Sequence, residues 1–583
     1  MNRVRQIWPY LVPDVWGFVA AMICIPLVAG LGVAQPMLMK EAIDAHIVAG
    51  VPEGLLRLAL LYLGAVVATF VVEAAYSLFL ARASENSIFR LRQSLFRHIL
   101  GLSQKFFERQ PTGQILTRVT SDVDALSEAL SAGSISILLD VVNMLAVVGA
   151  MLVLDPKLTG LLLLVGPPVA AVIEFFRRRM RVYFAEIRDA LASLNSYTAE
   201  RLAGVEVLQL FGQEARAQDR FRVLDDRHRT ANIANNIYDA ALYAFIDGIA
   251  SVCVALMLWH GARQVGLEVS GVTVGLVVAF VDYIDRLFRP LRELSGKITF
   301  LQRADTALEK IFWLLGVQER IGAGDRELTA PSGTLRLDKV SFRYRPDAPD
   351  VLHEVDLTLL PGEVVAVVGR TGSGKSTLVR LLGRVHDGYR GSITVDGVEL
   401  SSISPASVRR AIGTVRQEVQ LFSDSLQFNV TLGDPTLDAA RVAEAVAISN
   451  LSAIAARYPN GMAHEVRDRG ANLSGGEAQI IALARTLARD PAVIILDEAT
   501  ASVDPLSEQL LQEAIERVFS RKTSLVVAHR LSTIVRADRI VVMEQGRVVE
   551  VGTHRALLAA GGAYARLYNE GFGDKEQETV QIA

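Results

Sequence analysis

Long apolar runs separated by charged stretches fill the first 300 residues of the chain. Crossing the ~30 Å hydrocarbon core of a bilayer takes about 20 helical residues. Runs of about that length with few charges occur at residues 16–39, 58–80, 135–154, 158–176, 240–259 and 272–288. Their apolar residues are continuous, whereas a buried helix of a water-soluble protein would carry an apolar stripe. The pattern therefore predicts six membrane-spanning helices.

The connections between these runs alternate in length and charge. Those after the second and fourth runs are long and rich in arginine, and those after the first, third and fifth are short. Positive charge is retained on the cytoplasmic side of a membrane, so both termini and both long connections are predicted to be cytoplasmic. The first run is too long for a removable signal peptide and is interpreted as a retained span.

The two long connections are themselves patterned as helices. Apolar residues recur at intervals of three and four between charges, which is typical of amphipathic helices. Proline, glycine and capping residues within 111–124 predict a short transverse helix at a loop tip. The spans are therefore expected to continue as helices beyond the lipid.

Acidic residues also fall within or at the ends of the apolar runs. They are Glu73, Asp140, Glu174, Asp247, Asp282 and Asp285. A charge in lipid is unfavourable, so these side chains should face a protein interior or a wet cavity, which makes them candidate pathway residues. The alternative is that some lie at helix ends or pair structurally with Arg286 or Arg289. Glu73 and Asp247, nearest to mid-span, are the stronger pathway candidates.

After residue 300 the periodicity changes. Residues 301–330 pass from charged helix into a stretch rich in glycine and small polar residues, as in a linker. Short β-branched strands then alternate with helices, which is typical of an α/β domain with a largely parallel sheet. The predicted organisation is a six-helix transmembrane domain over 1–305, a linker over 306–333, an α/β domain over 334–571 and a polar tail over 572–583.

Composition agrees with this division. The 583 residues contain 60 Lys+Arg against 63 Asp+Glu, a net charge of −3, so no basic field points to nucleic acid as a partner. A hydrophobic content of 51% and a mean hydropathy of +0.31 are high for a soluble protein, which indicates that lipid solvates part of the chain. Two cysteines exclude a disulfide scaffold and a Cys-rich zinc module.

The strand VVAVVG leads into a phosphate-binding loop and then a helix. The segment runs Gly369, Arg370, Thr371, Gly372, Ser373, Gly374, Lys375, Ser376 and Thr377. It matches G-x-x-x-x-G-K-[ST] in the strand-loop-helix context that the motif requires. Backbone N–H groups and the helix N-terminus would surround phosphates, Lys375 would reach the β/γ-phosphates, and Ser376 could ligate Mg²⁺. The motif predicts a P-loop that binds a nucleotide.

Polar residues also follow two later apolar strands. Asp497 and Glu498 come at the end of VIIL, where the first carboxylate could hold a Mg²⁺ shell and the second could orient or deprotonate the attacking water. His529 follows LVVA, at a point where strand ends converge on one crevice. These residues are the candidates for hydrolysis.

The order of motifs resembles that of an ATP-binding cassette exporter half-transporter, over almost the whole chain. The segment NLSGGEAQ, with Ser474, Gly475 and Gly476, is similar to the signature motif peculiar to these ATPases. The resemblance gives further residues their expected roles: Tyr344 stacks on adenine, Gln417 senses Mg²⁺ and the attacking water, Asp504 contacts the partner cassette, and His529 meets the γ-phosphate.

The resemblance also implies a mechanism. Two cassettes would close head to tail, so that Ser474 of one chain caps ATP held by Lys375 of the other. Loop tips at 111–124 and 199–207 resemble coupling helices that convey this closure to the spans. A second half-transporter, membrane lipid and a small hydrophobic or amphipathic substrate are the implied partners, and the cytoplasmic (inner) membrane is the implied location, with the cassette and both termini in the cytoplasm.

Some positions depart from the family pattern. Glu477 stands where many relatives have Gln, Ile480 where Arg is common, and VRDRG at 466–470 where VGERG is usual. In EATASVD the order of Ala501 and Ser502 is exchanged, which resembles one half of heterodimeric multidrug exporters. Because Glu498 and LSGG are intact, a homodimer is equally compatible, and the interpretation inclines slightly to a heterodimer.

Two other classes of protein would share some of these features. An ATP-gated channel or regulatory membrane subunit would carry the same cassette without pumping, and flux against a gradient would separate it from an exporter. A soluble ATPase acting on DNA would need no spans. Substrate identity does not follow from motifs that drug, lipid and peptide exporters share.

Overall fold

The structure is a computed structural model that describes residues 2–265, 273–322, 324–497, 505–528 and 531–571. The chain divides into two compact units. Unit 1 takes in the described residues up to Leu100 together with Pro111–Val317, and unit 2 takes in Gly101–Gln110 together with the described residues from Gln318 onward. Glu498, Asp504, His529 and the predicted tail 572–583 lie outside the described residues.

The described residues up to Gly316 are mainly helical. In chain order they are α1 (Asn2–Leu11), α2 (Val15–Glu41), α3 (Leu55–Leu100), α4 (Gln104–Arg109), α5 (Thr112–Val119), α6 (Ser121–Glu128), α7 (Ile135–Leu154), α8 (Pro156–Leu164), α9 (Gly166–Ala203), α10 (Val205–Leu210), α11 (Glu214–Val265) and α12 (Val274–Gly316). Single π-helical stretches, Ala42–Ile47 and Ala129–Ser134, follow α2 and α6. Of these helices α4 belongs to unit 2 and the others to unit 1.

Five helical stretches among the described residues are long and apolar enough to cross a membrane. They are Arg5–Ile47, Leu55–Leu100, Thr112–Leu154, Pro156–Ala203 and Glu214–Trp259. Each contains one of the first five predicted runs. The sixth predicted run, 272–288, is not contained in any of these five stretches. Its described part lies at the start of α12, where Asp282, Asp285 and Arg286 interrupt the apolar residues.

Local sequence explains where the helices break. Asp155 caps α8 by accepting hydrogen bonds from the backbone N–H groups of Lys157 (2.8 Å) and Leu158 (3.1 Å), and Pro156 occupies the first helical position. The third connection is therefore a tight turn, as its sequence predicts. Residues 111–124 hold two short helices, α5 and α6, where one was predicted, because the chain bends at Thr120.

The described residues of unit 2 contain ten strands. These are β1 (Leu335–Phe342), β2 (Leu352–Leu359), β3 (Val364–Val368), β4 (Arg390–Val395), β5 (Val398–Glu399), β6 (Ile412–Val415), β7 (Val493–Asp497), β8 (Thr523–Val527), β9 (Arg539–Glu544) and β10 (Arg547–Gly552). Its helices from residue 375 on are α13 (Lys375–Leu382), α14 (Pro405–Ala411), α15 (Leu426–Thr431), α16 (Ala439–Ile448), α17 (Leu451–Ala455), α18 (Gly475–Leu487), α19 (Pro505–Phe519), α20 (Leu531–Arg536), α21 (His554–Ala559) and α22 (Ala563–Gly571).

Two sheets organise unit 2. A six-stranded sheet has the order β10-β9-β3-β8-β7-β6, parallel except for β10, and an antiparallel sheet has the order β2-β1-β4-β5. The parallel sheet was predicted, whereas the antiparallel sheet was not. Within β3, Val364 and Ala366 pack into a core shared with the helices α15 to α19, while Val365 and Val367 pack toward the antiparallel sheet and α13. Both faces are buried, which explains why β3 reads as a continuous apolar run.

The predicted linker, 306–333, is helical as far as Gly316, where α12 ends. Its second part, which belongs to unit 2, is held at Gly322 by Arg384, whose side chain is 1% exposed. The Arg384 guanidinium donates hydrogen bonds to the carbonyl oxygens of Gly322 (2.8 Å), Ser401 (2.9 Å) and Ile403. The described part of the linker at Gly322 therefore packs against the α/β domain.

Replacing Arg384 by Met should loosen the linker around Gly322, because the carbonyl oxygens of Gly322, Ser401 and Ile403 lose a buried charged donor. Removing one partner from such a buried charged network is worth about 3–5 kcal/mol. We expect trypsin to cleave the R384M protein faster after Arg320, whereas Arg326, whose backbone pairs with Ser402 and Ser404, should stay protected. The control R336M removes a 64%-exposed arginine of β1 and should leave the cleavage pattern unchanged. Equal protection in R384M and wild type would contradict this account of the linker.

Candidate active site

The phosphate-loop motif lies between β3 and α13, as its sequence predicts. Gly372 and Gly374 have φ angles of +85° and +100°, in the left-handed region that favours glycine. A Cβ atom at Gly374 would also come within 2.8 Å of Leu352 Cδ2. The loop turns inward here because only glycine combines that backbone conformation with so close an approach.

Lys375 is buried within this loop. Its Nζ donates hydrogen bonds to the carbonyl oxygens of Gly369 (2.6 Å) and Arg370 (3.0 Å) and lies 3.4 Å from Ser373 Oγ. Burial lowers the pKa of the Lys375 ammonium, and the charge of Asp497 opposes that shift. An anion placed in the loop would supply the charge partner that these neutral carbonyls do not.

The residues predicted for Mg²⁺ share one cleft. Ser376, Gln417 and Asp497 line a cleft of ≈ 880 Å³, to which Gln104 and Glu108 of α4 also contribute. Hydroxyl, amide and carboxylate oxygens are ligands that Mg²⁺ accepts, and Mg²⁺ is commonly held by one or two carboxylates together with substrate phosphates. In the described residues no group of three or more His, Cys, Asp or Glu could hold a metal.

Tyr344, the predicted adenine contact, is half-buried just after β1. Its hydroxyl lies 2.9 Å from the Thr377 hydroxyl in the first turn of α13. Its ring also makes an edge contact with Phe342, with centroids 5.1 Å apart. The side chain is thus joined directly to the helix that begins at the phosphate loop.

The signature residues begin α18. Ser474 Oγ accepts a hydrogen bond from the Glu477 backbone N–H (3.2 Å), and the Glu477 carboxylate accepts one from the Ser474 N–H (2.9 Å). This reciprocal arrangement is a capping box, so the Glu that departs from the family pattern fixes the orientation of Ser474. The carboxylate is 8% exposed and lies near Arg457 (3.5 Å) and the Tyr458 hydroxyl (3.4 Å).

The signature residues do not line the cleft that contains the residues predicted for Mg²⁺. Ser474, Gly475 and Gly476 are not among the residues that line the cleft of Ser376 and Asp497.

Ile480, the second departure from the family pattern, is buried in the core of unit 2. In VRDRG, Asp468 and Arg469 have positive φ angles, 45° and 61°, as does Gly470 at 97°.

Several residues at the site were missed by sequence reasoning. Glu108 of α4 approaches Arg380 and His386, next to the phosphate-loop helix. Glu570 of α22 forms an ion pair with Arg370 of the loop, with N–O distances of 2.7 and 2.6 Å. These contacts join residues far apart in the chain and carry no local motif, so only the arrangement of α4 and α22 reveals them.

The ionisable residues predicted within the spans have various partners in unit 1. Asp140 pairs with Lys297 (2.5 Å) and Asp282 with Arg286 (2.9 Å), while Glu174 accepts from Arg178 (2.8 Å). Structural pairing with Arg286, one of the stated alternatives, therefore accounts for Asp282. Glu73 is exposed on α3 and Asp247 is exposed on α11.

Fold and site together define a membrane protein with a P-loop ATPase domain. The chain matches the family descriptions "ABC transporter transmembrane region" over residues 18–291 and "ABC transporter" over residues 352–501. It therefore belongs to the ATP-binding cassette transporter family, and it is an ATP-hydrolysing, multi-pass membrane transporter of the half-transporter fold. The predicted family and fold class are confirmed.

Individual proteins support this membership. The chain is 33% identical over 484 residues to YgaD of Bacillus subtilis (strain 168), which is named as a multidrug export ATP-binding/permease protein, covering 82% of this chain and 83% of YgaD. A similarly named protein of Staphylococcus aureus (strain NCTC 8325) is 34% identical over 495 residues, covering 84% and 85% of the two chains. The solved structure of a bacterial Atm1-family ABC exporter with ATP bound matches with a TM-score of 0.76 at 26% identity, over 95% of this chain and 98% of that chain.

The capping box leads to a local prediction. Replacing Glu477 by Ala removes the acceptor for the Ser474 N–H and should destabilise the start of α18 by about 1 kcal/mol. Because a factor of ten corresponds to 1.4 kcal/mol, amide exchange of peptides covering 472–480 should accelerate about fivefold. The matched variant E477Q keeps an acceptor oxygen and should exchange like wild type. Unchanged exchange in E477A would show that the box does not hold this turn.

Proposed function

We propose that this protein exports a hydrophobic or amphipathic compound across the cytoplasmic membrane by ATP-driven alternating access, working as a pair of half-transporters. The observation that carries the proposal is Lys375, held inside a glycine loop and followed directly by Ser376, which lines a cleft together with Gln417 and Asp497. The other unit of the chain has five helical stretches able to span a membrane. The names of the curated relatives, which refer to multidrug export, support this class of cargo.

The proposed roles follow the chemistry of phosphoryl transfer, which consists mainly of positioning and charge stabilisation. Lys375 binds the β/γ-phosphates, and Ser376, Gln417 and Asp497 hold Mg²⁺. Glu498 orients or deprotonates the attacking water, His529 contacts the γ-phosphate, and Tyr344 stacks on adenine.

The site requires a second cassette. Ser474 lies outside the cleft of Ser376 and Asp497, which supports its acting on the nucleotide of the partner. Gly475, Gly476 and Asp504 are assigned to the same interface. ATP binds the closed pair more tightly than the open pair, so binding favours closure and hydrolysis reverses it. The spans then alternate between inward-facing and outward-facing states.

The partner is a second half-transporter, and the exchanged Ala501 and Ser502 favour a different chain over a second copy. The arginine-rich connections support a cytoplasmic location for the cassette and both termini. We expect the protein in the inner membrane of the cell.

Replacing Glu498 by Gln should preserve ATP binding and reduce ATP turnover. A positioned general base contributes about 100-fold or more to rate, so hydrolysis should fall by at least about that factor. The control E444Q removes a carboxylate from an exposed ion pair with Arg521 and should keep full activity. Turnover of E498Q close to wild type would contradict the role assigned to Glu498.

The shared site can be tested with two differently tagged copies of the chain, one carrying K375A and the other S474R. In a doubly tagged dimer one site has both substitutions and the other has neither, so about half of wild-type ATPase activity should remain. Dimers with K375A in both copies should be inactive. Inactive mixed dimers would show that each chain uses its own Ser474, and failure to recover doubly tagged dimers would show that the partner is a different chain.

A further inference from the structure

Helix α4 approaches the nucleotide site of unit 2 through one carboxylate. Oε1 of Glu108 lies 3.3 Å from Nη1 of Arg380 and 3.6 Å from Nε2 of His386. Arg380 belongs to α13, the phosphate-loop helix, and His386 follows four residues after that helix ends. His386 is 5% exposed, so its imidazole is enclosed at this contact.

The imidazole also contacts the proposed adenine platform. The rings of His386 and Tyr344 are perpendicular, with centroids 5.3 Å apart, and the His386 ring lies 5.9 Å from that of Phe342. The Tyr344 hydroxyl is held by Thr377 at 2.9 Å. Tyr344 is thus fixed at its hydroxyl by α13 and against its ring by His386.

One polar atom in this arrangement is unpaired. Nε2 of His386 is buried and has no hydrogen-bond partner within the part of the chain that the structure describes. At 3.6 Å the Glu108 carboxylate is too distant for a hydrogen bond, yet a small side-chain movement would form one. Burial lowers the pKa of His386, as do Arg380 and Lys105, while Glu108 opposes the shift. The ring is therefore neutral near pH 7, and a carboxylate beside Nε2 favours the tautomer with its proton on that nitrogen.

We propose that His386 is a positioning residue for the adenine-facing ring of Tyr344, and that Glu108 of α4 holds His386 in place. The inference rests on the proposed nucleotide site and adds to it two residues that no motif supplies. Its consequence is that the affinity for the base, but not for the phosphates, depends on α4.

The test separates the base from the phosphates in the full-length protein. Inorganic triphosphate binds the phosphate loop but offers nothing to Tyr344, so we compare KM for ATP with Ki for triphosphate. Stacking on an aromatic side chain contributes substantially to affinity, so Y344A should raise KM about tenfold. H386A, which removes the ring contact, should raise KM about fivefold, and H386F, which keeps a ring but loses Nε2, about twofold. In all three variants kcat and Ki for triphosphate should stay within about twofold of wild type.

The role of Glu108 is tested by a double-variant cycle. E108Q should raise KM about as much as H386F, and the double variant should be no worse than either, because both remove the same contact. The controls are H554F, which alters another perpendicular His–Tyr pair, and E444Q, and both should leave KM unchanged.

Three results would overturn the proposal: an unchanged KM in H386A, an equal rise of KM and triphosphate Ki, or additive effects of E108Q and H386F. Failure of the proposed nucleotide site is distinguishable, because Y344A would then leave KM for ATP unchanged or K375A would leave triphosphate inhibition intact.

Discussion

The burial of one ammonium group is the constraint on which the nucleotide site depends. Lys375 is 6% exposed, and its ammonium donates hydrogen bonds to the carbonyl oxygens of Gly369 and Arg370. These oxygens converge on Nζ only because the loop contains glycines in left-handed conformations and enters α13 at once. A desolvated cation held by neutral dipoles is a poor arrangement in the absence of an anion and a good one in its presence. The loop is therefore suited to an anionic ligand, which in the proposed function is the nucleotide.

Such a loop needs a rigid support, which the two cores of unit 2 provide. Alternate residues of β3 are buried on opposite faces, so the strand that leads into the loop cannot rotate or slip by one residue without exposing apolar side chains. On the far side Leu352 of β2 packs against Gly374, where an added Cβ would come within 2.8 Å of Leu352 Cδ2. The antiparallel sheet therefore also contacts the loop directly.

Local patterns predicted most of this arrangement, and contacts between distant segments account for what they missed. The phosphate loop, the strand ending at Asp497 and the helix after Ser474 each combine a short motif with its own secondary structure, so sequence alone placed them correctly on their elements. The strand β10 and the contact of Glu108 with His386 have no such signal, because each depends on a partner far away in the chain. Glu477 shows a third case: it departs from the family pattern, yet the capping box gives it a clear physical role. A departure from a motif does not by itself indicate a lost function.

The end of α13 and the turn after it hold two segments that precede the strands of unit 2. Residues 380–387 bind two segments that belong to unit 2 but precede its strands: Glu108 of α4 faces Arg380 and His386, and the Gly322 backbone is held by Arg384 and by Asp387 at 3.0 Å. The same two segments are also joined to each other. Arg109 forms an ion pair with Glu319, and the Ser103 N–H donates a hydrogen bond to the Glu319 carbonyl oxygen (2.8 Å). Arg380 lies in the same eight-residue helix, α13, that begins with Lys375. The phosphate loop, Glu108 and Gly322 are therefore connected through this one helix and the turn after it rather than through a long relay of side chains.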